Sequence, residues 1–200
     1  MLNTFKEDIK QTKYELQVLK HEPHEVVFHP KDQFHPEFDI QLDGTKYEVK
    51  AQNLDILEAE YPSDLQGCIY IEFKQINLKQ DTKYRDSGIR LSEADYYYVF
   101  GHTKEDKYKY WKIPTNDIIN EINKIENHSS LIKELKAKIN QIGYGGRFKT
   151  EVVKIAGMGN RYIKGIAKQR NGDNVGLNYL IDVEFIKQFK YTDNKMYKII

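Results

Sequence analysis

The sequence predicts an α/β fold, on three observations. Apolar and polar residues alternate on both sides of Asp43-Gly44, as in a β-hairpin. Further alternating runs at 68–75, 95–101 and 107–113 supply more strands, and isoleucines recur at helical spacing after Thr115. The 200 residues are 40 % hydrophobic, with 15 Tyr and 9 Phe from which a core can be built, and this suits a single domain spanning 1–200.

Taken in order, Leu2, Phe5, Ile9, Leu16 and Leu19 give residues 2–20 the spacing of an amphipathic helix, which Pro23 ends. Residues 25–29 form a strand, and Pro30 and Pro36 bracket a polar loop. Phe38, Ile40 and Leu42 alternate before the Asp43-Gly44 turn, and Tyr47 and Val49 after it, so 37–51 is a hairpin. The acidic stretch 53–66 fits a short helix or an ordered loop. In the strand 68–75, Ile69, Ile71 and Phe73 share one face. The aromatic strands 95–101 and 107–113 flank a charged tip from His102 to Asp106; Tyr96-Tyr97-Tyr98 packs on both faces of its sheet. Thr115 or Asn116 caps a helix carrying Ile118, Ile119, Ile122 and Ile125, and a second helix covers 130–141. Strands follow near 150–156 and 161–167, and 177–189 closes the chain as an apolar helix or strand.

The formal net charge of +1 conceals an uneven distribution. Residues 1–141 carry 20 Lys+Arg against 25 Asp+Glu, a net of −5, whereas 142–200 carry 11 against 5, a net of +6. Between 143 and 170, Arg147, Lys149, Lys154, Arg161, Lys164, Lys168 and Arg170 face only Glu151. Such a segment, with Tyr144, Phe148 and Tyr162 among its glycines, suits phosphate and unpaired bases. The single Cys68 excludes an internal disulfide, no apolar run spans a bilayer, and the N-terminus lacks signal-peptide layout. These point to a cytoplasmic protein without a membrane partner.

The hairpin carries the chemistry. A two-residue turn at Asp43-Gly44 puts Leu42 opposite Thr45, Ile40 opposite Tyr47 and Phe38 opposite Val49 on the buried face. On the other face Asp39 falls opposite Glu48, and Glu37 opposite Lys50. Directly opposed carboxylates destabilise a sheet unless something neutralises them. A Mg²⁺ ion, which takes one or two carboxylates and keeps water and phosphate oxygens in its shell, would do so. Lys50 would then orient a water or stabilise negative charge. The structural alternative is a solvated hairpin face with a weak Glu37–Lys50 ion pair.

The pattern Asp39-x8-Glu48-Val49-Lys50, followed by a strand bearing Glu72 and by SGIRLSEADYYYVF, resembles the PD-(D/E)XK nuclease superfamily in its small phage and bacterial members. The resemblance covers residues 36–101. It implies a restriction-endonuclease-like mixed β-sheet flanked by helices. It also implies catalysis by Asp39, Glu48 and Lys50, with Mg²⁺, or Mn²⁺ as a substitute, held by Asp39, Glu48 and the main-chain carbonyl of Val49. Glu15 or Glu7 would supply the acidic residue common on the first helix. Glu37 and Pro36 depart slightly from the usual Pro-Asp pair. A rival set, Pro62, Asp64 and Glu72-Phe73-Lys74, places Asp64 too near its bend to pair with Glu72. Glu72 is kept as an accessory metal ligand.

His21, His24, His29 and His35 lack the spacing and cysteine partners of a zinc site. Gly157-Met158-Gly159-Asn160 lacks the Gly and Lys of a nucleotide-binding loop, so no nucleotide cofactor is expected. Arg85 and Arg90 flank Ser87-Gly88, where a phosphate would fit, and join Arg147, Lys149, Arg161, Lys164, Lys168 and Arg170 as DNA-binding candidates. The expected function is Mg²⁺-dependent hydrolysis of DNA phosphodiester bonds, as an endonuclease, with a homodimer expected if both strands are cut. The alternative is a catalytically inactive module of the same fold that binds nucleic acid or protein, such as a phage regulatory or inhibitory factor.

Overall fold

The computed structural model describes residues 14–28, 38–53, 68–102, 107–127, 148–154, 162–186, 188–189 and 191–195, together with 130, 133–134, 137–138 and 141. The fold is α/β. The chain divides into two compact units, Met1–Glu58 with Ser92–Thr115 and Ile186–Ile200, and Ala59–Leu91 with Asn116–Phe185.

The first unit is built on a six-stranded mixed sheet. Its strands are β1 (Val27–Phe28), β2 (Ile40–Leu42), β3 (Thr45–Asn53), β6 (Tyr96–His102), β7 (Lys107–Pro114) and β11 (Tyr191–Lys195), in the spatial order β1-β2-β3-β6-β7-β11. The hairpin register is the expected one, with Ile40 opposite Tyr47 and Leu42 opposite Thr45. Asp43 and Gly44 have φ of +45° and +87°, the left-handed pair that a two-residue hairpin turn matching strand twist requires. Asp43 also accepts the Val26 N–H at 2.7 Å through its side chain and donates its own N–H to the Val26 carbonyl at 3.0 Å, which pins the chain entering β1 to the turn. β3 runs parallel to β6, with Glu48 beside Tyr97 and Lys50 beside Val99.

Helix α1 covers 14–21 of the described residues and stops before Pro23. Tyr14 and Val18, one turn apart, bury against Ile40, Leu42, Tyr47, Val49, Tyr98 and Phe100. That face of the sheet forms the apolar core, and α1 exists chiefly because it covers it.

The second unit is an antiparallel sheet of β4 (Cys68–Asn77), β5 (Arg85–Asp86), β8 (Phe148–Lys154), β9 (Ile163–Asn171) and β10 (Asn174–Asp182), ordered β5-β4-β10-β9-β8. Its helix α2 (Thr115–Glu126) starts at the boundary between the units and buries Ile118, Ile122 and Ile125. Each of these is worth roughly 1.5–3 kcal/mol of apolar burial. The Thr115 hydroxyl is buried without a hydrogen-bond partner, so the expected cap is not made there. The described residues of 130–141 are helical. The segment 177–189 divides into the end of β10 and the single turn α3 (Val183–Ile186). No described helix is long and apolar enough to cross a membrane. Residues 1–13, the loop with Pro30 and Pro36, all of 54–67 and the tip 103–106 lie outside the described residues.

Candidate functional site

Asp39 sits one residue before β2, where two contacts with β3 hold it. Its N–H donates to the Tyr47 carbonyl at 2.9 Å, and its Oδ2 accepts the Val49 N–H at 2.7 Å. The strand alternation that buries Val49 turns Glu48 and Lys50 to the opposite face, where Lys50 Nζ lies 2.5 Å from Glu48 Oε1. Glu48 and Lys50 are thus in contact, and the charges of both act on Asp39. Val49 enters the site through its N–H, while its side chain lies in the core. Glu37 and Glu7 lie outside the described residues.

The electrostatics follow from this crowding. Burial, then the Glu48 charge and more weakly Glu15, push the Asp39 carboxyl up to about 7 against the pull of Lys50 and the Val49 N–H. Burial alone would lower the Lys50 ammonium, but the charges of Glu48 and Asp39 outweigh it and hold Lys50 above its usual value. Lys50 is therefore a cation and donor at any physiological pH and cannot serve as a base.

Two residues join the site beyond the hairpin. Glu15 on α1 is buried, 5 % exposed, and its charge acts weakly on Asp39. Tyr97 is 1 % exposed beside Glu48, and its hydroxyl is held up by burial and by the Glu48 charge. Sequence reasoning missed Tyr97. The signal was the parallel β3–β6 pairing, a contact between segments nearly 50 residues apart that no local pattern encodes.

Glu72, expected as an accessory ligand, belongs to β4 of the second unit and is engaged there. Its Oε1 accepts the Ser87 hydroxyl at 2.5 Å, and its Oε2 lies where a Cβ on Gly176 would be only 2.5 Å away. Gly88 has φ +51° and packs against the Glu72 carbonyl, so Ser87-Gly88 serves Glu72 rather than offering an open phosphate cradle. Lys74 pairs with Asp86 at 3.5 Å. Asp64 and Pro62 of the rival set lie outside the described residues.

The DNA-binding candidates separate by burial. Lys168 is only 7 % exposed, and burial lowers its ammonium. Arg90 contacts the Glu126 carboxylate, which also takes the Tyr179 hydroxyl, so this arginine fastens its turn to α2. Arg170 donates to the Gly172 carbonyl at 2.9 Å. Arg85 and Lys164 are exposed, each beside an aspartate, Asp81 at 3.8 Å and Asp182 at 3.2 Å. Lys149 lies in β8; Arg147, Arg161 and the Gly157–Asn160 turn are outside the described residues. His24 bonds the Glu22 carbonyl at 2.8 Å and His21 stacks on Tyr110 at 4.4 Å, while His29 and His35 are not described.

Among the described residues no group of three or more His, Cys, Asp or Glu side chains is arranged to hold a metal ion. The donor set that is present is two hard carboxylates, a size suited to an ion that keeps most of its water. No family model, curated protein or solved structure matches the chain.

Proposed function

We propose that the chain is a Mg²⁺-dependent deoxyribonuclease, an endonuclease of PD-(D/E)XK type, with Asp39, Glu48 and Lys50 as its catalytic residues. The observation that carries this reading is the Asp39 carboxylate, latched by the Val49 N–H beside Glu48 and raised to about 7 by burial and by its neighbour. A fold gains nothing from two crowded carboxylates unless a cation joins them, and the oxygen donors fit Mg²⁺ or Mn²⁺. Once bound there, such an ion supplies positive charge to the scissile phosphate and lowers the pKa of an attacking water.

The chain's own groups do the rest. Asp39 and Glu48 would hold the ion, with the Val49 N–H fixing the Asp39 carboxylate through its Oδ2. Lys50, permanently protonated, donates to the water or to a non-bridging oxygen as negative charge builds on phosphorus. A water oxygen would bond to phosphorus as that water gives up a proton to solvent, the bond to the leaving sugar oxygen would break, and that oxygen would take up a proton from solvent.

The Lys50–Glu48 contact favours a second reading, an inactive module of this fold in which the lysine itself neutralises Glu48 and the protein only binds nucleic acid or a protein partner. One experiment separates the two. Linear, single-stranded and branched DNA are incubated with the protein in Mg²⁺, Mn²⁺ or EDTA, alongside Glu48→Ala and Lys50→Ala. Metal-dependent cleavage lost in both variants supports the nuclease; identical behaviour of wild type and variants rejects it.

A further inference from the structure

We propose that the outer edge of β1 is a self-association surface, on which a second copy of this chain pairs antiparallel about a two-fold axis at Val27. β1 is an edge strand of the first unit's sheet and pairs only with β2 among the described residues. Four large hydrophobic side chains are exposed among the described residues, and three of them are consecutive here: Val26 at 65 %, Val27 at 43 % and Phe28 at 46 %. Edge strands are ordinarily guarded by a charge, a proline or a bulge, and these three residues supply none.

The bonds already made fix which backbone groups remain. With Val27 opposite Leu42 and Phe28 opposite Gln41, Val26 falls opposite Asp43, whose N–H donates to the Val26 carbonyl at 3.0 Å. That pair is therefore of the bonded kind. The next pair along an antiparallel ladder, Val27 with Leu42, is then the kind whose N–H and C=O groups point away from each other. Leu42 turns toward β3, where Thr45 lies opposite, and Val27 turns its N–H and C=O out of the sheet. One outward N–H beside one outward C=O is its own complement. Two copies related by a two-fold axis exchange both bonds between their Val27 residues, with Cα atoms about 5.5 Å apart. The same axis sets Val26 against Phe28 of the copy, twice, a β-branched side chain against an aromatic ring. Charge favours the copy over another strand as well. Val26, Val27 and Phe28 carry none, so no like charges meet across the axis, whereas a strand bringing an acid or a base opposite them would bury it unpaired. A contact with the same patch on both sides closes at two chains. The Glu25 N–H is taken by the Asp43 carboxylate at 2.9 Å, so the new ladder ends there and the association is short and reversible.

Sedimentation equilibrium of the full chain, from low micromolar to several hundred micromolar, reads the association. Wild type should be a reversible monomer–dimer system. Val27→Lys and Val27→Glu each set two like charges face to face on the axis and should each weaken the dimer by about tenfold or more. An equimolar mixture of the two variants should restore it, because a lysine then meets a glutamate, and only an isologous contact at Val27 predicts that rescue. Both variants keep the β1–β2 bonds, and urea unfolding followed by Trp111 checks that they fold as wild type does. If they do not, oxidation of Val27→Cys decides. A pair on the axis yields a disulfide-linked dimer, which that Cα spacing suits, whereas Leu91→Cys, at a position 42 % exposed in the second unit, stays monomeric; Cys68 is buried. Wild type that remains monomeric throughout, a dimer indifferent to both charged variants, a mixture that does not reassociate, or Val27→Cys that cross-links no better than Leu91→Cys overturns the inference. The readouts need neither metal nor cleavage, so failure here leaves the nuclease reading standing, and the reverse.

Discussion

Replacing Asp39 by asparagine should stabilise the metal-free protein, and by an amount that depends on pH in a way only the site's electrostatics predict. The Asp39 carboxyl moves from its ordinary 3.8 to about 7 on folding. A raised acid binds its proton more tightly in the folded state, so between these two values the folded chain holds more protons than the unfolded one. Stability contributed by this group is therefore full below pH 4, falls as pH rises toward 7 and is flat above. A shift of about three units at about 1.36 kcal/mol each sets an upper value of roughly 4 kcal/mol, and because the side chain is only half-buried, solvent screening reduces it to ~2–3 kcal/mol. Asparagine carries no charge, and its side-chain oxygen can still accept the Val49 N–H, so Asp39→Asn removes the penalty while sparing the latch. The assay is urea unfolding in EDTA from pH 4 to 8.5, followed by the single Trp111, which is buried in the same unit at 2 % exposure. The variant should match wild type at pH 4 and exceed it by ~2–3 kcal/mol at pH 8. Millimolar Mg²⁺ should then close the gap by stabilising wild type alone. A variant that is less stable than wild type by the same amount at every pH would refute the reasoning, since the carboxylate would then be an ordinary hydrogen-bond acceptor.

Three further outcomes follow from the geometry. Lys50→Ala should abolish cleavage yet bind Mn²⁺ at least as tightly as wild type, because Glu48 no longer has an ammonium at 2.5 Å competing with the ion; titration calorimetry reads the affinity. Gly88→Ala should cost more stability than Gly176→Ala, by thermal melts, because the added methyl meets a backbone carbonyl at 2.4 Å in the first case and the end of the Glu72 side chain at 2.5 Å in the second. Overpacking of about 1–3 kcal/mol is expected for Gly176, with left-handed strain added at Gly88. Lys164→Glu should weaken DNA binding and flatten its salt dependence, whereas Lys168→Met should leave both unchanged because that side chain is buried; fluorescence anisotropy over a salt series measures each slope.

What could be read from the sequence was whatever a local rule encodes. The Asp43-Gly44 turn dictates the register of Ile40–Leu42 on Thr45–Tyr47, and alternation puts Glu48 and Lys50 on one face; every step spans fewer than about twelve residues. The turn at Gly172, with φ +63° between β9 and β10, carried an equally local signal, because Asn171-Gly172 stands between two alternating runs. The burial of Lys168 was less legible, because its place in β9, paired with Leu177 on β10 and Glu151 on β8, comes from non-local pairing.

Glu22 and Tyr97 were hidden because they reach the hairpin through docking, not through pattern. A helix face says that something will be covered but not what, and here the covered face is assembled from β2, β3 and β6, whose order in space skips both strands β4 and β5. That topology also explains how the site keeps its strain. Asp39 is raised by neighbours on two elements, Glu48 from its own hairpin and Glu15 from α1. The hairpin cannot relax away from Glu48 without breaking its register, and α1 is bonded to β3, β6 and β7 through Glu22. Crowded carboxylates held from both sides cannot separate to relieve their repulsion, so a cation or a proton is the relief that remains. The proton, at about 7, is the weaker competitor above neutral pH, where the site should therefore bind a divalent ion most tightly.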